Sequence, residues 1–251
     1  MSNSSLVVYT KLSPNHSGLR THKIDRISPH CVVGQCSVWT LGDIFYPTSK
    51  KASCNYGIGP DGKVGMYVEE KNRSWCTSSN ANDQRAVTIE CASSTKAPYE
   101  MNDAVYEMLI KLCTDICKRN GKDTLLWIED KNKALTYAPK DNEMLITVHR
   151  WFANKSCPGD WLYSRLGDVA SKVTAALGGE DKEEAAEVPF KVRVLVSDLN
   201  FRSEPSMNGK VKGQTGKGVF TITEVKDSWG RLKSGAGWIY LENPKYCKKL
   251  S

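Results

Sequence analysis

Apolar residues recur along this chain with two different periods, and each period marks a different kind of element. A period near 3.6 places Val38, Leu41, Ile44 and Phe45 on one face of a short helix that starts after Ser37, a residue suited to capping. The same period runs through residues 102–119, where Val105, Met108, Leu109, Leu112 and Ile116 share a face and Gly121 lies just past the end. A third helix is predicted over residues 160–177, carried by Leu162, Leu166, Val169 and Val173 and stopped by Gly178-Gly179. A period of two predicts strands. Residues 23–34 alternate in this way, although Pro29 lacks a ladder donor and belongs on an edge or at a bulge. In residues 85–93, Val87, Ile89 and Cys91 turn one way and Thr88 and Glu90 the other. Residues 55–59 and 63–70 flank Pro60-Asp61-Gly62, a turn sequence that predicts a hairpin. Further strands are predicted at residues 124–128 and at Leu145, Ile146 and Val148. Strands interleaved with helices predict an α/β fold with a mixed central sheet flanked by helices.

The pattern changes after residue 178. Residues 179–189 form an acidic, polar run with nothing to build a core, which predicts a linker. Beyond it only short strands recur, at residues 191–196, 199–203, 218–225, 229–232 and 237–241, split by Gly, Asn and Ser turns as in a small all-β barrel. The chain is therefore expected to divide into residues 1–178, a linker at 179–189, and residues 190–251. Charge follows the same division: residues 190–251 hold twelve Lys or Arg against five Asp or Glu, which accounts for the whole net charge of +7. A cationic module calls for an anionic partner. No basic helix or stacking motif accompanies the charge, which argues against nucleic acid.

Composition adds class and compartment. With 40% apolar and 25% charged residues the chain reads as soluble and globular, and no apolar run is long enough for a membrane span. The first residues have neither the basic leader nor the apolar core of an export signal, so synthesis in the cytosol is expected. Nine cysteines at irregular spacing do not form a disulfide framework; Cys113 and Cys117, on one helix, read as small buried apolar groups.

Candidate chemistry concentrates in residues 147–159, which set His149, Lys155 and Cys157 on one loop after an apolar strand. Imidazole and thiolate are zinc ligands, and a catalytic zinc keeps three protein ligands with a fourth position open, so a further ligand has to come from elsewhere. On the residues alone, a packed histidine and a buried free thiol are equally good readings.

The order His149, Lys155, Ser156, Cys157, Pro158 resembles the closing motif of the zinc-dependent N-acetylmuramoyl-L-alanine amidases, a family that includes phage lytic amidases and the peptidoglycan recognition proteins. The resemblance spans residues 13–178. It implies one zinc per chain, held by His149, Cys157 and His30, the last lying at the end of an early strand where the family has its first zinc histidine, and it implies that Lys155 assists the chemistry. His16 and His22 lie on polar, loop-like sequence and read as solvated or groove residues. Residues 54–62 are similar to the family's second strand and turn, which makes Asn55 and Tyr56 candidate substrate contacts. Some members carry a catalytic tyrosine where Cys54 falls here, and others a glutamate in an Ile-Glu strand. On pattern alone Glu90 is a solvated strand carboxylate; the resemblance makes it the general base.

Residues 199–203, 229–232 and 237–241 are similar to bacterial SH3-like wall-binding domains. That similarity implies that Asn200, Arg202 and Tyr240 contact the wall, with Trp229 and Trp238 either contacts or barrel core. Together the resemblances imply a peptidoglycan hydrolase, similar to a phage or prophage endolysin, that cleaves the amide between N-acetylmuramic acid and L-alanine of the muramoyl peptide. Wall polyanions are a further partner for the basic module, with no nucleic acid and no membrane insertion. The expected life cycle is synthesis in the host cytoplasm without a signal peptide and action on the wall after release. Two rival readings stand beside this one. The first is a non-catalytic peptidoglycan-binding relative, a class that typically loses the cysteine present here. The second is a cysteine hydrolase with Cys157 as nucleophile and His149 as base.

Overall fold

The computed structural model describes residues 3–178 and 188–250, apart from 207, 208, 227, 242 and 244. The chain separates into two compact units, Met1–Asp181 and Lys182–Ser251. The expected linker falls almost wholly outside the described residues.

In the first unit the chain runs β1 (Val7–Thr10), β2 (His16–Leu19), β3 (Arg26–Cys31), α1 (Val38–Phe45), β4 (Tyr56–Ile58), β5 (Val64–Met66), β6 (Asn72–Ser74), α2 (Asn80–Asp83) and β7 (Ala86–Cys91). It continues through α3 (Asp103–Arg119), β8 (Thr124–Leu126), α4 (Lys131–Thr136), β9 (Glu143–Ile146), α5 (Asp160–Tyr163) and α6 (Leu166–Ala176). Seven strands form one sheet in the order β1-β5-β4-β7-β3-β9-β8. Only the β4–β5 hairpin is antiparallel, with Gly62 at φ +75° in its turn, so the sheet is mixed as expected.

Register decides what each face carries. Gly57, Glu90 and His30 are aligned on the adjacent strands β4, β7 and β3, so their side chains share one sheet face. Their neighbours Tyr56, Ile58, Ile89 and Cys91 turn to the other face, into a core with Val105, Leu109, Leu112 and Ile116 of α3 and Leu166, Val169 and Val173 of α6. Helix α1 covers the Gly57 face: a Cβ on Gly57 would stand 2.6 Å from Leu41 Cδ1 and 2.8 Å from Tyr67 Cε2, so glycine there permits the close approach. With both faces covered, β7 is buried along nearly its whole length, and Glu90 is its one partly exposed residue.

Two expectations change. Pro29 lies on β3, a central strand and not an edge. The reason is that β9 pairs only with Arg26 and Ile27; the last bond on that side runs from Thr147 N to Ile27 O at 3.0 Å, and Pro29, two residues on, faces a side from which the partner strand has already departed. The helix expected over residues 160–177 is broken into α5 and α6. Ser164 Oγ (3.1 Å) and Arg165 Nη1 (2.9 Å) both donate to Trp161 O, taking the carbonyl that the helical amide of Arg165 would use, and that amide bonds Leu162 O instead. By contrast α1 starts where its cap predicts, with Ser37 accepting from Thr40 N, and α3 starts one residue inside its predicted span, where Asn102 serves as the cap and accepts from Val105 N.

The second unit is all β: β10 (Phe190–Val194), β11 (Asn200–Arg202), β12 (Val211–Gln214), β13 (Gly218–Lys226), β14 (Trp229–Leu232), β15 (Trp238–Tyr240) and β16 (Cys247–Leu250). All its pairings are antiparallel, in the order β12-β11-β15-β14-β13-β10-β16, around Val192, Val194, Leu199, Ile222, Leu232, Ile239 and Cys247. This architecture is consistent with an SH3-like barrel. Strands β12 and β16 were not anticipated, because Lys212, Lys248 and Lys249 interrupt any apolar alternation there. Among the described residues no helix is long and apolar enough to cross a membrane.

Candidate metal centre and active site

His30, Cys157 and His149 reach one another from three segments. His30 is carried near the end of β3 and is 1% exposed. After β9 the chain makes a 3-10 turn at His149–Trp151, and the loop is then closed by Arg150. Its amide donates to Cys157 O at 3.1 Å, and its guanidinium bonds Ser156 O and Asp160 Oδ1, the latter at 2.9 Å. The result sets Cys157 Sγ 3.2 Å from His30 Nδ1 and the two imidazole rings 5.2 Å apart. One ligand atom from each of His30, His149 and Cys157 lies within 4.8 Å of the others.

The electrostatics suit a soft divalent cation. Burial, then the neighbouring His149, pushes His30 down to about 3, while burial and then the charge of Lys155 lower His149. Both rings are therefore neutral at ordinary pH, and a neutral ring has a lone pair to offer. The Cys31 thiol and burial push Cys157 up. A thiol in that position ionises readily only beside a cation, and metal coordination removes its proton outright. His30 Nε2 has no hydrogen-bond partner among the described residues. Two neutral imidazoles and a thiol in this arrangement fit zinc.

Glu90 stands beside His30 in register. Its Oε1 is 4.0 Å from His30 Nδ1 and 4.0 Å from Cys76 Sγ, and Oε2 has no partner among the described residues. Burial pushes its carboxyl up to about 7, near the value at which a group both takes and returns a proton at neutral pH. Lys155 is exposed, and its ammonium has no ion-pair partner among the described residues. A second donor group, His30, Cys76 and Glu90, shares His30 with the first.

Other sequence candidates fall elsewhere. Asn55 and Tyr56 are fully buried, so neither presents a side chain to substrate. Asn55 Oδ1 accepts from Thr88 N and Arg20 Nη2, and Tyr56 donates to Glu70 Oε1 at 2.7 Å, a carboxylate also held by Arg119. Cys54 is buried with its thiol well above the ordinary range. His16 accepts from Gly18 N through Nδ1, and His22 is exposed. For the cysteine-hydrolase reading, Cys157 is paired with His30 and not with the proposed base His149, and its thiol is raised where a nucleophile needs it lowered.

Sequence reasoning passed over the segment 76–83. Asp83 accepts from Cys76 N (3.1 Å), Thr77 N (3.2 Å) and Thr77 Oγ1 (2.7 Å), and Ser79 caps α2. Ser78, between them, adopts φ +63° and sets its Oγ 3.0 Å from His149 Nε2. Fully buried Asn82 joins this segment to both histidine-bearing segments: Nδ2 donates to Ser28 Oγ (3.1 Å), while Oδ1 accepts from Thr147 Oγ1 (3.0 Å) and Arg26 Nη1 (3.0 Å). Ser28 precedes His30 by two residues, and Thr147 precedes His149 by two.

In the second unit, Asn200, Arg202 and Tyr240 line one cavity of about 280 Å³ together with Asp198, Trp229 and Tyr246. Trp229 is 5% exposed and meets Tyr240 edge-on at 5.5 Å, so it serves as core and as cavity wall at once. Trp238 lies under the Arg231 guanidinium and does not line the cavity.

A family model described as N-acetylmuramoyl-L-alanine amidase matches residues 12–160, more than half of the chain, and that span contains His30, Glu90, His149, Lys155 and Cys157. No curated protein matches the chain. Among solved structures it is similar to the endolysin amidase LysCS from Clostridium intestinale URNW, at 13% identity, 70% coverage of this chain and 100% of that one, with a TM-score of 0.42. It is also similar to the PlyG catalytic domain (14%, 69% and 97%, 0.46) and to the Ph2119 endolysin of a Thermus scotoductus MAT2119 bacteriophage (15%, 66% and 91%, 0.41). These likenesses are too distant to add weight of their own, and the assignment rests on the family match together with the donor set. The chain belongs to the zinc-type N-acetylmuramoyl-L-alanine amidases, hydrolases of the amide that joins N-acetylmuramic acid to L-alanine in peptidoglycan.

Proposed function

We propose that one zinc per chain is held by His30, His149 and Cys157, with Glu90 as proton carrier and Lys155 as the cation that meets the developing oxyanion. The observation that carries this reading is the imidazole, imidazole and thiol set within 4.8 Å, with an under-hydrogen-bonded carboxylate 4.0 Å from one of its members. A zinc held there supplies Lewis acidity toward the amide carbonyl and toward water. Glu90 Oε2, whose basicity is raised by burial, takes a proton from the attacking water and delivers it to the nitrogen of L-alanine, so that the amine leaves neutral. Lys155 Nζ neutralises charge gathering on the carbonyl oxygen; a preorganised donor of this kind contributes about 3 kcal/mol.

The second unit, in this reading, holds the amidase at the wall through the cavity of Asn200, Arg202 and Tyr240, and its positive charge adds attraction to wall polyanions. Holding the hydrolase there raises its local concentration at its substrate. All nine cysteines are free, which suits synthesis in a reducing cytoplasm followed by release to the wall in the manner of an endolysin. The test is incubation with purified sacculi and identification of the new end group. The reading expects new L-alanine α-amines with the glycan strands intact; new reducing sugar ends without new L-alanine termini would contradict it.

A further inference from the structure

Ser78 occupies a backbone conformation that a serine adopts only when its surroundings impose it. Here they do so from both sides. Asp83 fixes the amides of Cys76 and Thr77, and Ser79 is committed to the N-terminus of α2 through its bond from Asn82 N. Between these two anchors the left-handed turn at Ser78 aims its hydroxyl at His149, with Oγ 3.0 Å from Nε2, across 71 residues of sequence. The same segment is bound through Asn82 to Ser28 on β3 and to Thr147 just after β9. The strand carrying His30, the loop carrying His149 and the turn carrying Ser78 are thus fixed to one buried side chain.

We infer that Ser78 is a positioning residue of the metal centre, holding the His149 ring through Nε2 and so selecting the tautomer that ligates. Resting on the assignment of His149 as a ligand, this gives the distorted turn a purpose. An imidazole that ligates through one nitrogen needs its other N–H accepted, since that bond sets both tautomer and ring orientation. With Ser78 Oγ accepting the Nε2 proton, the lone pair resides on Nδ1, the same nitrogen that His30 directs toward Cys157.

The test separates the hydroxyl from the backbone. Glycine accepts φ near +63° without strain but has no hydroxyl, while alanine keeps the strain and loses the hydroxyl. Full-length Ser78→Gly, Ser78→Ala and His149→Ala are stripped of metal, titrated with zinc against a chromophoric chelator, and melted in the metal-free state. Both Ser78 variants should bind zinc about tenfold or more weakly, the usual effect of removing such a partner. Metal-free Ser78→Gly should melt no lower than the unchanged chain. Unaltered zinc affinity in Ser78→Gly would overturn the inference, as would a loss of affinity accompanied by a matching fall in metal-free melting temperature. His149→Ala retaining full zinc affinity would instead remove the ligand assignment beneath it.

Discussion

Replacing Asn82 by alanine probes the link between fold and site, because this one amide joins three site-bearing segments. The substitution removes the acceptor for Arg26 Nη1, the acceptor for Thr147 Oγ1 and the donor to Ser28 Oγ; the contact to Thr77 Oγ1, at 3.4 Å, is long and counts for little. Arg26 is 6% exposed, burial lowers its guanidinium to about 10, and its Nε already lacks a partner among the described residues, so it is poorly placed to recover the loss. At about 2 kcal/mol for the bond to the charged group and about 1 kcal/mol for each neutral one, the loss sums to about 4 kcal/mol. Ser28 and Thr147 keep their mutual 2.7 Å bond, which trims the expected cost to about 3 kcal/mol, a sizeable part of the roughly 5–15 kcal/mol that holds a domain folded. The assay is urea unfolding of the metal-free full chain followed by tryptophan fluorescence, five of the seven tryptophans lying before residue 178. Zinc affinity should fall as well, since both histidine-bearing segments lose their common anchor. A loss below about 1 kcal/mol, the value of a single neutral bond, would refute the reasoning that this network is a buried clamp.

Three further outcomes follow from the same geometry. Glu90→Gln and Lys155→Met remove the proton carrier or the cation without removing a ligand, so zinc content should hold while turnover drops by roughly two orders of magnitude or more; near-normal turnover in Glu90→Gln would move the proton carrier elsewhere. Gly57→Ala should destabilise the first unit by about 1–3 kcal/mol in the same unfolding assay, because its Cβ has to displace Leu41 and Tyr67 of the α1 face. Arg202→Ala with Tyr240→Ala should lower the fraction of protein that pellets with walls, and raised salt should lower it further, while hydrolysis of a soluble muropeptide stays unchanged.

The parts of this protein legible in its sequence are those whose signal is local. The cap at Ser37, the Pro60-Asp61-Gly62 turn and the apolar stripes of α1 and α3 each lie within a few residues of what they determine. His149, Lys155 and Cys157 share a single loop and so could be read together, whereas His30 lies 127 residues from Cys157 and needed a family resemblance to be noticed. Asn55 and Tyr56 were candidate contacts through the resemblance of residues 54–62 alone, and nothing local to them shows that Asn55 is tied up in buried hydrogen bonds or that β4, carrying Tyr56, is covered on both faces. Ser78 and Asn82 left no signal at all, since a serine in a polar loop and an asparagine on a one-turn helix look ordinary until strands far along the chain arrive beside them. The break between α5 and α6 was hidden for a related reason: the apolar spacing runs through it, and only the side-chain donors to Trp161 O interrupt the backbone ladder.

Metal content under ligand replacement decides whether His30, His149 and Cys157 hold the zinc on which hydrolysis depends. The full chain, loaded with zinc and then freed of excess, is assayed by elemental analysis alongside His30→Ala, His149→Ala and Cys157→Ala, with wall hydrolysis measured before and after treatment with a chelator. Three protein ligands and an open position predict about one zinc per unchanged chain, a marked loss in each of the three variants, and hydrolysis that the chelator abolishes and added zinc restores. No stoichiometric zinc in an active unchanged chain, or hydrolysis indifferent to the chelator, would contradict the account.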